Sequence, residues 1–428
     1  MITRIEAYRY RCFNKLDIEL DNLHVFAGSN GSGKTTLLDI PALIGDILTV
    51  SDINDAFFKP MNGRERARAD SPRELVHKLK GDNFTLVLEA EIPEQQQILL
   101  EQVGPARFRT KPENRSNTIR YELSIGIVED KLEVKEEHLM LFNNNDRVVH
   151  GGEIQGGRFD NENVFQVIER SNRQKAIYSP EWASKKHNKN KDIDFALQNA
   201  RTAFSSMPAD SVAFPAAFWF LEFLKNGSHC YEPQWPAMRL AASPRDKETF
   251  KADGSSLPWQ VHVLQHRDPE GLNEWLELVQ MALPSIAKIE AKQRIDDSFC
   301  YLEVTYSNGM VVPSSGLSHG TLHILALTII PYLQNAPKII TLEEPENGIH
   351  PKAIDAVLEA LKLTSDTQLW LSTHSPVVLA NTEVEQIITM RFNQDGATEV
   401  LKGHEHPRLK TWKGEVDLGT LFAAGVLE

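Results

Sequence analysis

The sequence predicts an α/β protein with a mixed β-sheet core built around a phosphate-binding loop, an antiparallel β subdomain and a helical insertion. Three observations carry this expectation. Gly28-Ser29-Asn30-Gly31-Ser32-Gly33-Lys34-Thr35 fits G-x-x-x-x-G-K-[ST], the loop that cradles phosphates with backbone N–H groups. An apolar strand pattern, Leu23 to Ala27, leads into it, and a helical pattern, Thr35 to Leu48, leads out. Far downstream, Lys338-Ile339-Ile340-Thr341-Leu342-Glu343-Glu344-Pro345 reads as an apolar strand ending in two carboxylates, and the C-terminal edge of such strands is where α/β sheets place ligand chemistry.

Taken in order, Ile2 to Tyr10 and Phe13 to Leu20 alternate apolar and polar residues, as strands with one buried face do. Pro41 should kink or shift the helix after the phosphate loop. Ser71-Pro72-Arg73-Glu74 has the form of a capping box with Pro at the first helical position, so a short helix is expected to about Lys80, stopped by Gly81. Phe84 to Ile92 and Thr118 to Ile127 read as antiparallel strands. From Leu139 to Asp192 the pattern dissolves into Asn, Gly and Lys, which reads as an exposed irregular insertion. Phe195 to Phe204 and Phe214 to Leu224 look helical, and Leu272 to Leu283 is an amphipathic helix ended by Pro284. Phe299 to Tyr306, the turn Ser307-Asn308-Gly309 and Met310 to Pro313 form a hairpin. An apolar helix is expected over Leu322 to Leu333, and a strand over Thr367 to Ser372. No internal repeat is present, and no heptad run is long enough for a coiled coil.

The bulk numbers exclude little but point one way. The 428 residues carry a net charge of −13, so there is no global basic footprint for nucleic acid, although a local patch could sit within it. The three cysteines have no metal-type spacing and suit a reducing compartment. No signal peptide is visible, and no apolar run reaches the roughly 18 residues that span a bilayer. The expected location is the cytoplasm, with no membrane partner.

In the phosphate loop the amides and side chains of Asn30, Gly31, Ser32, Gly33, Lys34, Thr35 and Thr36 are the candidate ATP contacts. Lys34 would reach the β/γ-phosphates and Thr35 would hold Mg²⁺. Beside such a loop, Glu343 would hold the metal and Glu344 would deprotonate the attacking water. Thr373-His374-Ser375-Pro376 leaves a strand at the same expected edge, and the His374 imidazole can hydrogen-bond a γ-phosphate. Ser314 to Thr321 precedes an apolar helix, and alone it is no stronger than a well-capped helix.

The order of these motifs, phosphate loop, Leu-Ser-x-Gly helix, acidic strand, then His after a strand, resembles the ABC-type ATPases. The run Glu343-Glu344-Pro345-Glu346-Asn347-Gly348-Ile349-His350-Pro351 is similar to the branch holding RecF, SMC and OLD-type ATPases. The chain further resembles AAA-family ATP-binding proteins of bacterial anti-phage operons such as Septu and PARIS, with looser likeness at Asp253 to Trp259 and Asp417 to Phe422. The specific motifs cover roughly residues 1–40 and 297–380.

The resemblance implies a single ABC-type head over 1–428, with its core at about 1–60 and 297–428, an antiparallel β subdomain over 84–128 and a helical or irregular insertion over 139–295. It implies ATP and Mg²⁺ as ligands and a head-to-tail homodimer, or a higher homo-oligomer, in which Ser318, His319 and Gly320 of one copy complete the other copy's site. It makes Glu344 the base, Glu343 the metal partner, His374 the γ-phosphate sensor and Arg11 a nucleotide contact. Glu343 stands where many ABC ATPases have Asp, His319 and Thr321 depart from Leu-Ser-Gly-Gly-Gln, and no glutamine is assigned as the remaining metal ligand.

The function this implies is an ATP-hydrolysing switch in anti-phage defence, controlling an effector such as a nuclease or toxin encoded nearby. The alternative is a RecF-like DNA-repair or DNA-structure ATPase gripping DNA with the basic segments Arg64 to Lys80 and Lys185 to Lys191; the net charge and the missing coiled coil count against it. An OLD-type nuclease would need a further acidic domain, for which the chain after His374 leaves no room.

Overall fold

A computed structural model describes residues 1–61, 66–103, 116–144, 164–171, 175–181, 192–409 and 417–425. The chain divides into two compact units. One holds Met1–Asp21, Asp39–Ser228 and Phe392–Val400; the other holds Asn22–Leu38, His229–Arg391 and Leu401–Glu428.

The first unit is organised by an eight-stranded sheet in the order Phe13–Glu19, Ile2–Tyr10, Asn83–Glu91, Thr118–Val128, Lys131–Phe142, Phe165–Ser171, Ala176–Tyr178, Ile193–Phe195. Neighbouring strands run antiparallel, including the pair expected from Phe84 and Thr118 onward. Register explains its two faces. Leu88 stands opposite both Ile5 and Tyr121, and Tyr121 opposite Leu139, so one face is apolar and buried.

Val87 stands opposite Glu6 and Glu122, one step along, so the other face is charged. There Arg120 reaches Glu6 at 2.7 Å and Glu89 at 2.5 Å, and also pairs with Glu122. Buried charge persists only when paired. Burial opposes the Arg120 charge, but Glu122, Glu6 and Glu89 outweigh it and raise the pKa well above the guanidinium norm.

Several local expectations are corrected. The Ser71 box gives two 3₁₀ turns, Pro72–Leu75 and His77–Leu79, rather than an α-helix. Lys78 and Leu79 take positive φ, which no helix can continue through, and the Ser71 hydroxyl bonds the Glu74 carboxylate rather than a helix amide. Phe195 to Phe204 is not a helix: Phe195 closes the sheet's last strand and a 3₁₀ turn, Phe204–Ser206, follows. Within the stretch read as irregular from Leu139, the described residues supply strands, because His138, Gln166 and Glu169 lie along the polar face and break the apolar alternation. The helix Lys34–Thr49 runs on through Pro41. Lys185 to Lys191 and Arg64 lie outside the described residues.

The second unit contains the phosphate loop. Its sheet core is four parallel strands in the order Ile339–Glu343, Gln368–Thr373, Leu23–Gly28, Ile387–Phe392. They are apolar on both faces, as a parallel sheet covered by helices demands. Register aligns their ends: Glu343 pairs with Ser372, Thr373 with Ala27, and Met390 with Gly28. Three chain segments therefore leave the sheet at one edge.

The expected hairpin is present as Cys300–Tyr306 and Val311–Pro313, joined to Ile286–Gln293 in a small antiparallel sheet. The amphipathic helix begins earlier than expected, at Pro269, because Asp268 caps it through the Gly271 amide, and it ends at Ala282. Its fully buried Trp275 donates to the Thr328 hydroxyl at 2.9 Å. The helix expected from Leu322 to Leu333 is instead His319–Thr328, followed by a 3₁₀ turn, Ile330–Tyr332; Pro331 has no amide to extend it.

Candidate functional site

The loop after Gly28 is shaped for an anion. Gly31 and Gly33 both take positive φ, 79° and 97°, the conformation that turns successive amides to one side. Gly28 is required for a different reason: a Cβ there would stand 2.2 Å from the Met390 carbonyl oxygen. Lys34 lies at the head of the helix and is buried, with its ammonium donating to the carbonyls of Gly28 at 2.8 Å and Ser29 at 3.1 Å. Burial lowers its pKa, while the charges of Glu344 and Glu343 work the other way. A polyanion placed over the loop would complete this lysine's pairing.

The acids meet the loop. The Thr35 hydroxyl donates to Glu343 Oε2 at 3.0 Å. A hydroxyl and a carboxylate side by side are hard oxygen donors of the kind Mg²⁺ takes. These two residues fit the ion, and when bound it would neutralise phosphate charge.

Glu344 sits one residue beyond the strand with φ 44°, a left-handed conformation costing a non-glycine on the order of 1–2 kcal/mol. Its amide donates to the Ser372 carbonyl at 3.0 Å, and its carbonyl accepts from the Asn347 amide at 2.9 Å. Its carboxylate accepts from Asn347 Nδ2 at 2.7 Å through Oε2, and lies 3.6 Å from His374 Nε2 through Oε1. Glu344 and His374 both remain partly exposed. A partly exposed carboxylate, oriented and next to a metal position, is suited to take a proton from water.

Ser318 begins the helix His319–Thr328, its Oγ accepting from the Thr321 amide at 3.1 Å and contacting the Thr321 hydroxyl at 2.8 Å. Inside the subunit it is therefore a helix cap. His319 and His323 follow on one face, rings stacked at 5.7 Å. His323 Nδ1 lies 2.9 Å from the Asn347 carbonyl; burial lowers its pKa, although that contact raises it. Gly320 faces the Gly348 carbonyl. A cavity of about 330 Å³ lies between this helix and the acidic turn, lined by Trp235, His319, His323, Glu343, Glu344 and Asn347 among others.

A family profile described as "AAA domain, putative AbiEii toxin, Type IV TA system" matches residues 152–380, more than half of the chain. The chain belongs to this AAA-domain family. The match takes in Ser318 to Gly320, both acids and His374, and it extends through the middle of the chain, where the motifs gave only a general likeness; the phosphate loop lies outside it. Comparison with curated proteins finds no match.

Among solved structures, an SMC head bound to the C-terminal winged-helix domain of ScpA superposes with a TM-score of 0.51 at 12% identity, covering 94% of this chain and 97% of that one. The Pyrococcus furiosus Smc head with an extended coiled coil, bound to the C-terminal domain of ScpA, gives 0.50 at 11% identity, covering 94% and 95%. The AAA-family chain thus has the ABC-type ATPase head fold that its motif order implied, and no helix among the described residues is long and apolar enough to cross a membrane.

Within the second unit the structure brings together Lys34, Thr35, Glu343, Glu344 and His374, with Asn30, Gly31, Ser32, Gly33 and Thr36 in or beside the loop. Arg11 lies in the first unit, at positive φ between the first two strands, where its guanidinium donates to the Arg68 carbonyl and lies over the Tyr10 ring at 5.6 Å. Arg68, one of the basic residues considered for DNA, is buried against Asp39 at 2.8 Å and Asp46 at 2.6 Å. Sequence reasoning missed Asn347, Glu346 and Thr373. For Glu346 and Asn347 the signal was a polar residue three positions after each acid, which only a tight turn makes meaningful; Thr373 gave no signal beyond ending its strand.

Proposed function

We propose that this chain is an ATP-binding and ATP-hydrolysing switch. The observation that supports this reading is the common strand edge, where the phosphate loop, Glu343, Glu344 and His374 follow the ends of neighbouring parallel strands, with Thr35 bonded to Glu343 and His374 3.6 Å from Glu344. Lys34 and the loop amides bind the β/γ-phosphates; Thr35 and Glu343 hold Mg²⁺. Glu344 accepts the proton of the attacking water, with Asn347 fixing one of its oxygens. His374 lies 3.6 Å from Glu344, placed to donate to a γ-phosphate oxygen beside the water. The proton goes to Glu344 and the electron pair of the broken bond goes to the departing ADP oxygen.

The site is half of a sandwich on this reading. Ser318, His319 and Gly320 of a second copy close over the nucleotide. Membership in a family whose description names a toxin of a type IV toxin–antitoxin system supports a defence role, with the ATP state passed to an effector partner. The test is mass by light scattering with and without ATP–Mg²⁺, on wild type, Glu344→Gln and Ser318→Arg. Wild type and Glu344→Gln should double in mass with ATP while Ser318→Arg stays monomeric; a mass that ignores ATP in all three removes the sandwich.

A further inference from the structure

The separation of 3.6 Å between His374 and Glu344 is too long for a hydrogen bond. Something else must hold the two loops in register. Both loops leave the sheet on adjacent parallel strands, and the backbone bond from the Glu344 amide to the Ser372 carbonyl at 3.0 Å ties them ahead of His374.

One side chain reaches across. Glu346 follows Glu344 by two residues in the turn closed by Glu344 and Asn347, with the Ile349 amide donating back to the Glu346 carbonyl at 3.1 Å. Its carboxylate accepts from the hydroxyl of Thr373, the fully buried last residue of the neighbouring strand. That same oxygen accepts from the Ser375 amide at 2.9 Å. A hydroxyl has one proton; given to Glu346, it leaves the oxygen's lone pairs for Ser375. The residues on either side of His374 are thus fixed by one three-membered chain of hydrogen bonds that ends on the loop carrying Glu344.

Burial raises the Glu346 pKa while Thr373 pulls it down. Setting a carboxyl group there is costly, and the contact offsets part of that cost.

We infer that Glu346, acting through Thr373, is a positioning residue for hydrolysis: it sets the distance between the base Glu344 and His374 without touching nucleotide. This rests on the hydrolytic reading above.

The test uses the full chain with Glu346→Ala, Glu346→Gln, Thr373→Val and Thr373→Ser, measuring kcat and KM for phosphate release, equilibrium ATP–Mg²⁺ affinity and melting temperature. Glu346→Ala and Thr373→Val should each lower kcat by on the order of 10-fold, since small misplacements at a reacting centre act on turnover. Affinity and melting temperature should hold. Glu346→Gln and Thr373→Ser keep an acceptor and a hydroxyl, and should recover kcat to within about threefold; the Glu346→Ala/Thr373→Val pair should be no slower than either single change. Unchanged kcat in Glu346→Ala, or a fall in kcat, affinity and melting temperature together, overturns the inference.

If wild type itself releases no phosphate, the hydrolytic reading fails separately, and the imidazole NMR signals of His374 decide. They should move in Glu346→Ala and Thr373→Val but not in the control Glu359→Gln; signals that stay in place overturn the positioning role.

Discussion

The two units use charge in opposite ways. In the antiparallel unit, Arg120 lies among Glu6, Glu89 and Glu122, Arg68 between Asp39 and Asp46, and Glu137 accepts from the Tyr121 hydroxyl and the Ala203 and Phe204 amides. All of these are buried and answered by their neighbours. In the unit with the parallel core, Glu343, Glu344 and His374 stand at or just past the ends of apolar strands, open to solvent, and Glu343 accepts from Thr35 of the phosphate loop. A charge enclosed on all sides can only hold structure together. A charge at an open strand edge is available for a ligand, and the price is strain such as the left-handed Glu344 backbone.

The comparison can be broken most sharply at Arg120. Arg120→Leu takes the paired cation from buried Glu89 and Glu122 and leaves Glu6 only Arg4, and should cost about 3–5 kcal/mol of stability, seen as a large drop in the denaturation midpoint. An unchanged midpoint would mean these charges are not structural. Lys34→Ala is the mirror case: it should reduce ATP turnover by about 10²–10³-fold, while the melting temperature holds.

A smaller effect comes from Glu181, whose carboxyl accepts from the Ala216 and Ala217 amides at 2.9 and 2.7 Å. Burial lifts its pKa from 4.5 to about 8, against the pull of those two amides. A pKa raised on folding gives stability that is complete below the unfolded value and lost as pH climbs through the folded one. The chain should therefore lose stability between about pH 5 and about pH 8, by at most about 1.4 kcal/mol per pH unit from this group. Glu181→Gln should flatten that slope; a slope identical to wild type would place the pH dependence elsewhere. At the small end, Lys175→Ala breaks a fully solvated pair with Asp194 and should leave melting unchanged.

The same contrast explains what could be read from the sequence. The phosphate loop, the acid-tipped strand and the strand before His374 were legible because apolar runs of five or six residues end in chemistry-bearing ones, and the parallel register then brings those ends together. The hairpin was legible from Ser307-Asn308-Gly309, where Gly309 takes φ 83°. The antiparallel sheet was only half legible. Its outer strands carry polar residues on one buried face, so Phe165–Ser171 offered no clean alternation. The Ser71 box failed because Glu74 bonds the Ser71 hydroxyl and the Asp70 amide instead of completing a helix start. Asn347 and Glu346 were invisible as site residues because their roles depend on a turn whose geometry begins with a positive φ at Glu344.

The most direct test of the central claim is phosphate release with ATP and Mg²⁺, measured beside equilibrium ATP binding, on wild type and Glu344→Gln. The expected result is turnover by wild type, undiminished ATP affinity in the variant, and a loss of turnover of about 10²–10⁴-fold. A variant that hydrolyses ATP at the wild-type rate, or a wild type that binds no nucleotide, would contradict it.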